Sequence, residues 1–146
     1  MRIAFASDHA AVDLKRVLAE HARALGHEVV DLGTDGPASV DYPDYGFALA
    51  EALADGRAER GVALCGSGIG IAIAANRHPA CRCAQVSEPL SATLARTHND
   101  ANAIAIGARL VGETMAVAIL EAFLTTEFEG GRHQHRVDKL SKEFTA

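Results

Sequence analysis

Five short apolar runs alternate with stretches of helical periodicity, and this alternation predicts a single-domain α/β fold: a five-stranded parallel sheet covered by helices on both faces. The runs carry almost no charge, as strands buried on both faces do. Each ends in a glycine or polar turn that leads to a helix signal. The chain of 146 residues is long enough for one domain with a sizeable core. It contains no internal repeat, low-complexity tract or linker that would divide it.

The first strand is residues 3–7, Ile-Ala-Phe-Ala-Ser. Leu14, Val17, Leu18, His21 and Leu25 then recur at helical spacing, and Gly26 supplies the stop. Residues 28–32 form the second strand, followed by a polar, turn-rich stretch over 33–42 that contains Gly36-Pro37. A helix starts at Pro43, since proline suits the first turn. Phe47, Ala50 and Leu53 give it an apolar face, and Gly56 ends it. The third strand, 61–65, runs into the turn Gly66-Ser67-Gly68-Ile69-Gly70 and a helix of small residues to about Asn76. The fourth strand covers 82–86. Ser87 caps the next helix and Pro89 lies in its first turn; it carries Leu90 and Leu94 and ends over 97–100. The fifth strand is 103–106. A long helix over about 113–124 presents Met115, Ile119, Leu120 and Phe123. Gly130-Gly131 breaks the chain before an extra C-terminal helix over 132–143. The whole reads as a Rossmann-like αβα sandwich, one domain over residues 1–146.

Composition excludes several function classes. Lys and Arg number 14 against 19 Asp and Glu, a net charge of −5, which opposes a nucleic-acid binder with its basic field. The odd cysteine count of three excludes a complete disulfide framework and points to a reducing, cytoplasmic setting. The N-terminus lacks the apolar stretch of a signal peptide, and no run approaches the ~20 apolar residues that span a membrane.

In an open α/β sheet, ligands gather at the carboxyl ends of the strands. Asp8 and His9 follow the first strand, Cys65 ends the third and Arg109 follows the fifth, so all four fall on one predicted edge. The glycine turn over 66–70 can surround a phosphate or an oxyanion with backbone N–H groups, or it can simply be a tight strand-to-helix turn. It lacks the spacing of a P-loop and of a dinucleotide site, which disfavours ATP and NAD. Cys65, against a helix start, is either a base or nucleophile, or a buried inert thiol. Cys81 and Cys83 form no metal-ligand spacing and read as core residues. His98 suits acid–base work or is merely solvated. Arg132 and Arg136 share a helix face, as a phosphate clamp or as a solvated basic patch.

Together these residues resemble the ribose-5-phosphate isomerase B family, within the ribose/galactose isomerase group, nearly end to end. The resemblance rests on Ser7-Asp8-His9, Asp41-Tyr42-Pro43, Cys65-Gly66-Ser67-Gly68-Ile69-Gly70, Ala74-Ala75-Asn76 and Ser87-Glu88-Pro89. It continues through His98-Asn99-Asp100-Ala101-Asn102, Gly107-Ala108-Arg109 and Glu129-Gly130-Gly131-Arg132-His133-Gln134-His135-Arg136-Val137.

The resemblance implies interconversion of ribose 5-phosphate and ribulose 5-phosphate, with no metal and no cofactor. It casts Cys65 as the base that moves a proton between C2 and C1. Members without this cysteine use a glutamate a few residues on, and Ile71-Ala72-Ile73-Ala74 offers none here. Ser67 would assist proton movement between the two oxygens, and His98 would open the furanose ring. Gly66, Gly68, Ile69 and Gly70 would line the oxyanion. Asp8, Tyr42 and Asn99 would contact the sugar, and His9, Arg109, Arg132 and Arg136 the phosphate. The implied partners are a phosphorylated sugar and a second copy of the chain, as a homodimer or a tetramer, with active sites shared between subunits. Other readings are the same chemistry on allose 6-phosphate, galactose 6-phosphate or a tetrose 4-phosphate, and a non-catalytic phosphometabolite-binding protein, which would need neither Cys65 nor His98.

Overall fold

The computed structural model describes residues 1–142. Five parallel strands form one sheet: β1 (Arg2–Ser7), β2 (Glu28–Asp31), β3 (Arg60–Cys65), β4 (Cys83–Gln85) and β5 (Ala103–Gly107), in the order β2-β1-β3-β5-β4. The helices are α1 (Val12–Ala24), α2 (Tyr42–Ala54), α3 (Ile69–Ala75), α4 (Pro89–Asn99), α5 (Glu113–Thr125) and α6 (Gln134–Leu140). A 3-10 turn, His9–Ala11, precedes α1, and another, Gly131–His133, leads into α6. Among the described residues, no helix is long and apolar enough to cross a membrane.

Large and small residues alternate along the central strands. Ile3, Phe5, Val62, Leu64, Ile104 and Ile106 face α1, α4 and α5, where Leu18, Ala92, Ile119 and Phe123 complete a core of large side chains. Ala4, Ala6, Ala63, Cys65, Ala103 and Ala105 face α2 and α3. Losing Phe5 to alanine would cost about 3–5 kcal/mol, the toll of an emptied core site. The alanine face does something different. It lets α2 and α3 lie close to the sheet, and Cys65 ends that face, so its sulfur meets the start of α3.

The chain leaves β1 for α1 on one face and leaves β3 for α3 on the other. Successive connections diverge there, which opens a crevice at the carboxyl ends of β1 and β3.

Several local expectations need correction. Glu88, not Ser87, caps α4: its carboxylate accepts the N–H of Ser91, and the Ser91 hydroxyl donates to it as well. A carboxylate satisfies a free N–H of the first helical turn as a hydroxyl does. Phe47, Leu90, Leu94 and Met115 are exposed rather than core-facing; the alanines and glycine beside them make the contacts. The C-terminal helix begins as a 3-10 turn and ends at Leu140; position 143 of the expected span lies outside the described residues.

Candidate active site

At the carboxyl edge, Asp8, Tyr42, Cys65, Gly66, Ser67, Gly70, Arg109 and Leu110 surround an open cleft of ≈ 330 Å³. Cys65 is 4% exposed, and the Gly68 N–H donates to its Sγ at 3.1 Å. A donor on sulfur stabilises negative charge there. Ser67 Oγ accepts from the Ile69 N–H at 3.2 Å. Among the described residues, nothing in the protein accepts from the N–H groups of Gly66 and Ser67, so two amides of this turn are open to a ligand.

Close backbone contact fixes the turn. Gly68 has φ +76°, and a Cβ on it would lie 2.8 Å from the Gly107 nitrogen and the Ile106 carbonyl carbon. A Cβ on Gly107 would lie 2.5 Å from the Ser67 carbonyl group. The Ala108 and Arg109 N–H groups then donate to the Cys65 and Gly66 carbonyls, at 2.9 and 3.0 Å, and this stitches the β5 loop to the turn. The same contact brings the Arg109 guanidinium over Gly66, 3.2 Å from where a Cβ would sit.

The other walls come from β1 and α2. Asp8 caps the 3-10 turn through the Ala10 N–H at 2.9 Å, which leaves its second oxygen without a partner among the described residues. The Val40 N–H donates to His9 Nδ1 at 3.1 Å; a neutral ring therefore carries its proton on Nε2. Tyr42 opens α2, and its ring lies against Gly70, where a Cβ would come within 2.6 Å. Below these residues, Lys15 Nζ is tied to Asp31 at 2.6 Å and to the Thr34 carbonyl at 2.8 Å, anchoring the loop that carries Val40.

His98, Asn99, Arg132 and Arg136 are elsewhere. α4 starts beyond the carboxyl end of β4 and runs back, so His98 and Asn99 lie at the amino edge, just before β5. With 11 residues, α4 spans about 16 Å, which is the scale of the gap from Cys65 along the strand direction. Buried Arg96 donates to the Thr126 and Ala101 carbonyls and pairs with Asp100 at 2.9 Å. The Glu129 N–H donates to the Thr97 carbonyl. These bonds clip the 126–133 segment to the last turn of α4. Arg132 and Arg136 therefore share the amino edge with His98, exposed and without an ion-pair partner among the described residues.

His98, Glu129 and His133 bring potential metal-ligand atoms within 4.8 Å of one another. The two imidazoles are stacked, with centroids 4.5 Å apart and planes 17° apart. Their lone pairs therefore run side by side rather than converging as a tetrahedral site needs. Cys81 and Cys83 are core thiols: burial pushes Cys81 up to about 12 and raises Cys83 as well.

The model of the family described as Ribose/Galactose Isomerase matches residues 3–140. The chain belongs to the ribose/galactose isomerase family. Ribose-5-phosphate isomerase B of Escherichia coli strain K12 is 44% identical over 96% of this chain and 94% of its own length. D-erythrulose-4-phosphate isomerase of Pectobacterium atrosepticum is 40% identical, over 96% and 93%. The solved ribose-5-phosphate isomerase B of Clostridium thermocellum superposes with a TM-score of 0.95 at 46% identity, covering 97% of this chain and 95% of that one.

Within this ribose/galactose isomerase fold, sequence reasoning missed three contributors, and it noted a fourth, Gly107, only as part of the Gly107-Ala108-Arg109 motif, without a role. Leu110 lines the cleft, Gly107 gives the turn its space, Lys15 anchors the loop and Arg96 ties down the amino-edge group. Of the three missed, Arg96 left a trace in sequence: Asp100 stands four residues on, at ion-pair spacing.

Proposed function

We propose that the protein is an aldose–ketose isomerase that interconverts ribose 5-phosphate and ribulose 5-phosphate through an enediolate. The observation that carries this reading is Cys65, held by the Gly68 N–H at 3.1 Å in the cleft beside Ser67 and Arg109. His98 takes the proton of the anomeric hydroxyl and returns one to the ring oxygen, giving the open aldose. The Cys65 thiolate removes the C2 proton as negative charge develops on O1, where the open Gly66 and Ser67 amides stabilise it. The Ser67 hydroxyl carries a proton from O2 to O1. The Cys65 thiol then delivers its proton to C1, which leaves the ketose and restores the thiolate. Asp8, Tyr42 and Asn99 hold sugar hydroxyls, and His9, Arg109, Arg132 and Arg136 hold the phosphate.

This site is assembled from two copies of the chain. Cys65 and Arg109 lie at one edge of the sheet, and His98, Asn99, Arg132 and Arg136 at the other. One chain cannot bring both groups to one sugar, whereas a homodimer can pair the carboxyl edge of each subunit with the amino edge of the other. Ile69 and Ile73 are 53% and 63% exposed on α3 beside edge strand β4, an apolar surface that a second copy would cover.

The similarity to an erythrulose 4-phosphate isomerase favours one second reading, the same proton transfer on a tetrose 4-phosphate. Rates with aldose phosphates of four, five and six carbons, each with EDTA present, separate the two readings. Ribose 5-phosphate is expected to be turned over best, at a rate EDTA leaves unchanged. A clear preference for the tetrose replaces the substrate, and loss of activity in EDTA replaces the metal-free mechanism.

A further inference from the structure

The His98 ring is half-buried at the last turn of α4, and a helix-end imidazole of this kind has several rotamers open to it. One face of it is covered by the ring of His133, with centroids 4.5 Å and planes 17° apart. His133 is itself 6% exposed and belongs to the 3-10 turn Gly131–His133. Among the described residues its buried Nε2 makes no hydrogen bond of good geometry, although the Glu129 carboxylate stands 3.4 Å away. A buried imidazole without a hydrogen bond at that nitrogen costs stability, so the position is not explained by packing alone.

Its neighbours hold it still. Arg96, Thr97 and His98 are consecutive, and each grips the same segment: Arg96 the Thr126 carbonyl, Thr97 the Glu129 N–H, and His98 the His133 ring. The His133 ring is thus a fixed wall against which His98 can lie in one plane.

We propose that His133 is a positioning residue that sets the plane of the His98 imidazole by face-to-face stacking, so that His98 can pass a proton between the anomeric hydroxyl and the ring oxygen. This rests on the reading of His98 as the ring-opening group. Proton transfer between two fixed oxygens is sensitive to the direction of the imidazole nitrogen, and small misplacements cost rate rather than binding. A flat ring at position 133 is what the role requires; a nitrogen there is not.

The test compares His133→Phe, which keeps a flat ring, with His133→Leu, which fills the space without one. Both are assayed on ribose 5-phosphate beside His98→Asn, with melting temperatures measured in parallel. His133→Leu is expected to lower kcat at least tenfold while KM stays within threefold, and His133→Phe to stay within threefold of the parent in both. If His133→Leu does not fold, His133→Asn takes its place. Equal kcat values for the ring and non-ring variants overturn the inference. So does a loss carried by KM, which would mean that the whole arm bearing Arg132 has shifted. If His98→Asn loses turnover and His133→Leu does not, this inference falls and the proposed function stands. If His98→Asn turns over at the parental rate, the role of His98 falls and this inference falls with it.

Discussion

The Gly68 N–H donates to Cys65 Sγ at 3.1 Å only because Gly68 backs directly onto Gly107 across the sheet edge. The two glycines let the backbone of the 66–68 turn sit on the end of β5. The parallel pairing of Cys65 with Gly107 sets that height.

Gly107→Ala places a methyl 2.5 Å from the Ser67 carbonyl group. Backbone must give, and overpacking of this kind costs about 1–3 kcal/mol. Turnover is expected to fall about 100-fold, the scale of a misplaced reacting group. Rate and melting temperature together check this; unchanged turnover would show that the turn does not hold the chemistry.

Cys65→Ala removes the proposed base and leaves the phosphate and sugar contacts in place. Loss of a general base costs about 10²–10⁴ in rate. Isomerisation should therefore fall by that much, while calorimetric titration still detects ribose 5-phosphate binding. Substantial turnover in the variant would remove Cys65 from the mechanism.

The three cysteines should differ sharply toward an alkylating agent. Burial pushes the Cys81 thiol up to about 12 and raises Cys83 as well, so neither forms thiolate at pH 8. Cys65 lines the cleft. Iodoacetamide should add once per native chain, at Cys65, in step with loss of activity and more slowly when substrate is present. Mass mapping that finds equal labelling at Cys81 or Cys83 would contradict this.

Asp31 links stability to acid. Burial pushes its carboxyl up, but the Lys15 hydrogen bond and the Gly33 N–H outweigh it and hold the group below the usual carboxylate range. A lowered folded value means that the stabilisation is present above the unfolded pKa, about 4, and is lost as pH falls through the folded value. Asp31→Asn should therefore melt below the parent at pH 7, and the gap should close as the pH is lowered below the unfolded value of about 4. A gap that is constant across the range would mean that the Lys15 contact does not depend on the charge of Asp31.

The fold was legible because its signals are local. Strand runs, glycine stops and the prolines at 43 and 89 mark elements within a few residues of each other. The carboxyl-edge half of the site was legible for the same reason: Asp8 follows β1, Cys65 ends β3 and Arg109 lies two residues past β5. What stayed hidden depends on contacts across the fold. Lys15 sits in a helical pattern where lysine reads as solvated, yet it is buried against Asp31 and Thr34 from another element. Phe47 and Leu90 satisfy an apolar pattern but face outward. The distance of His98 from Cys65 was implicit in the predicted parallel sheet, since a helix between two parallel strands ends at the amino edge of the second, but no residue pattern around His98 itself marks it.

That separation is most directly tested by mixing subunits. Cys65→Ala and Arg132→Ala chains are each prepared alone and then unfolded and refolded together, and ribose 5-phosphate turnover is measured below the parental KM. In a mixed dimer, one site receives an intact Cys65 from one chain and an intact Arg132 from the other. The refolded mixture should recover about a quarter of parental activity, because half of the dimers are mixed and each holds one intact site of two. A mixture no more active than either variant alone would show that each site is built within a single chain.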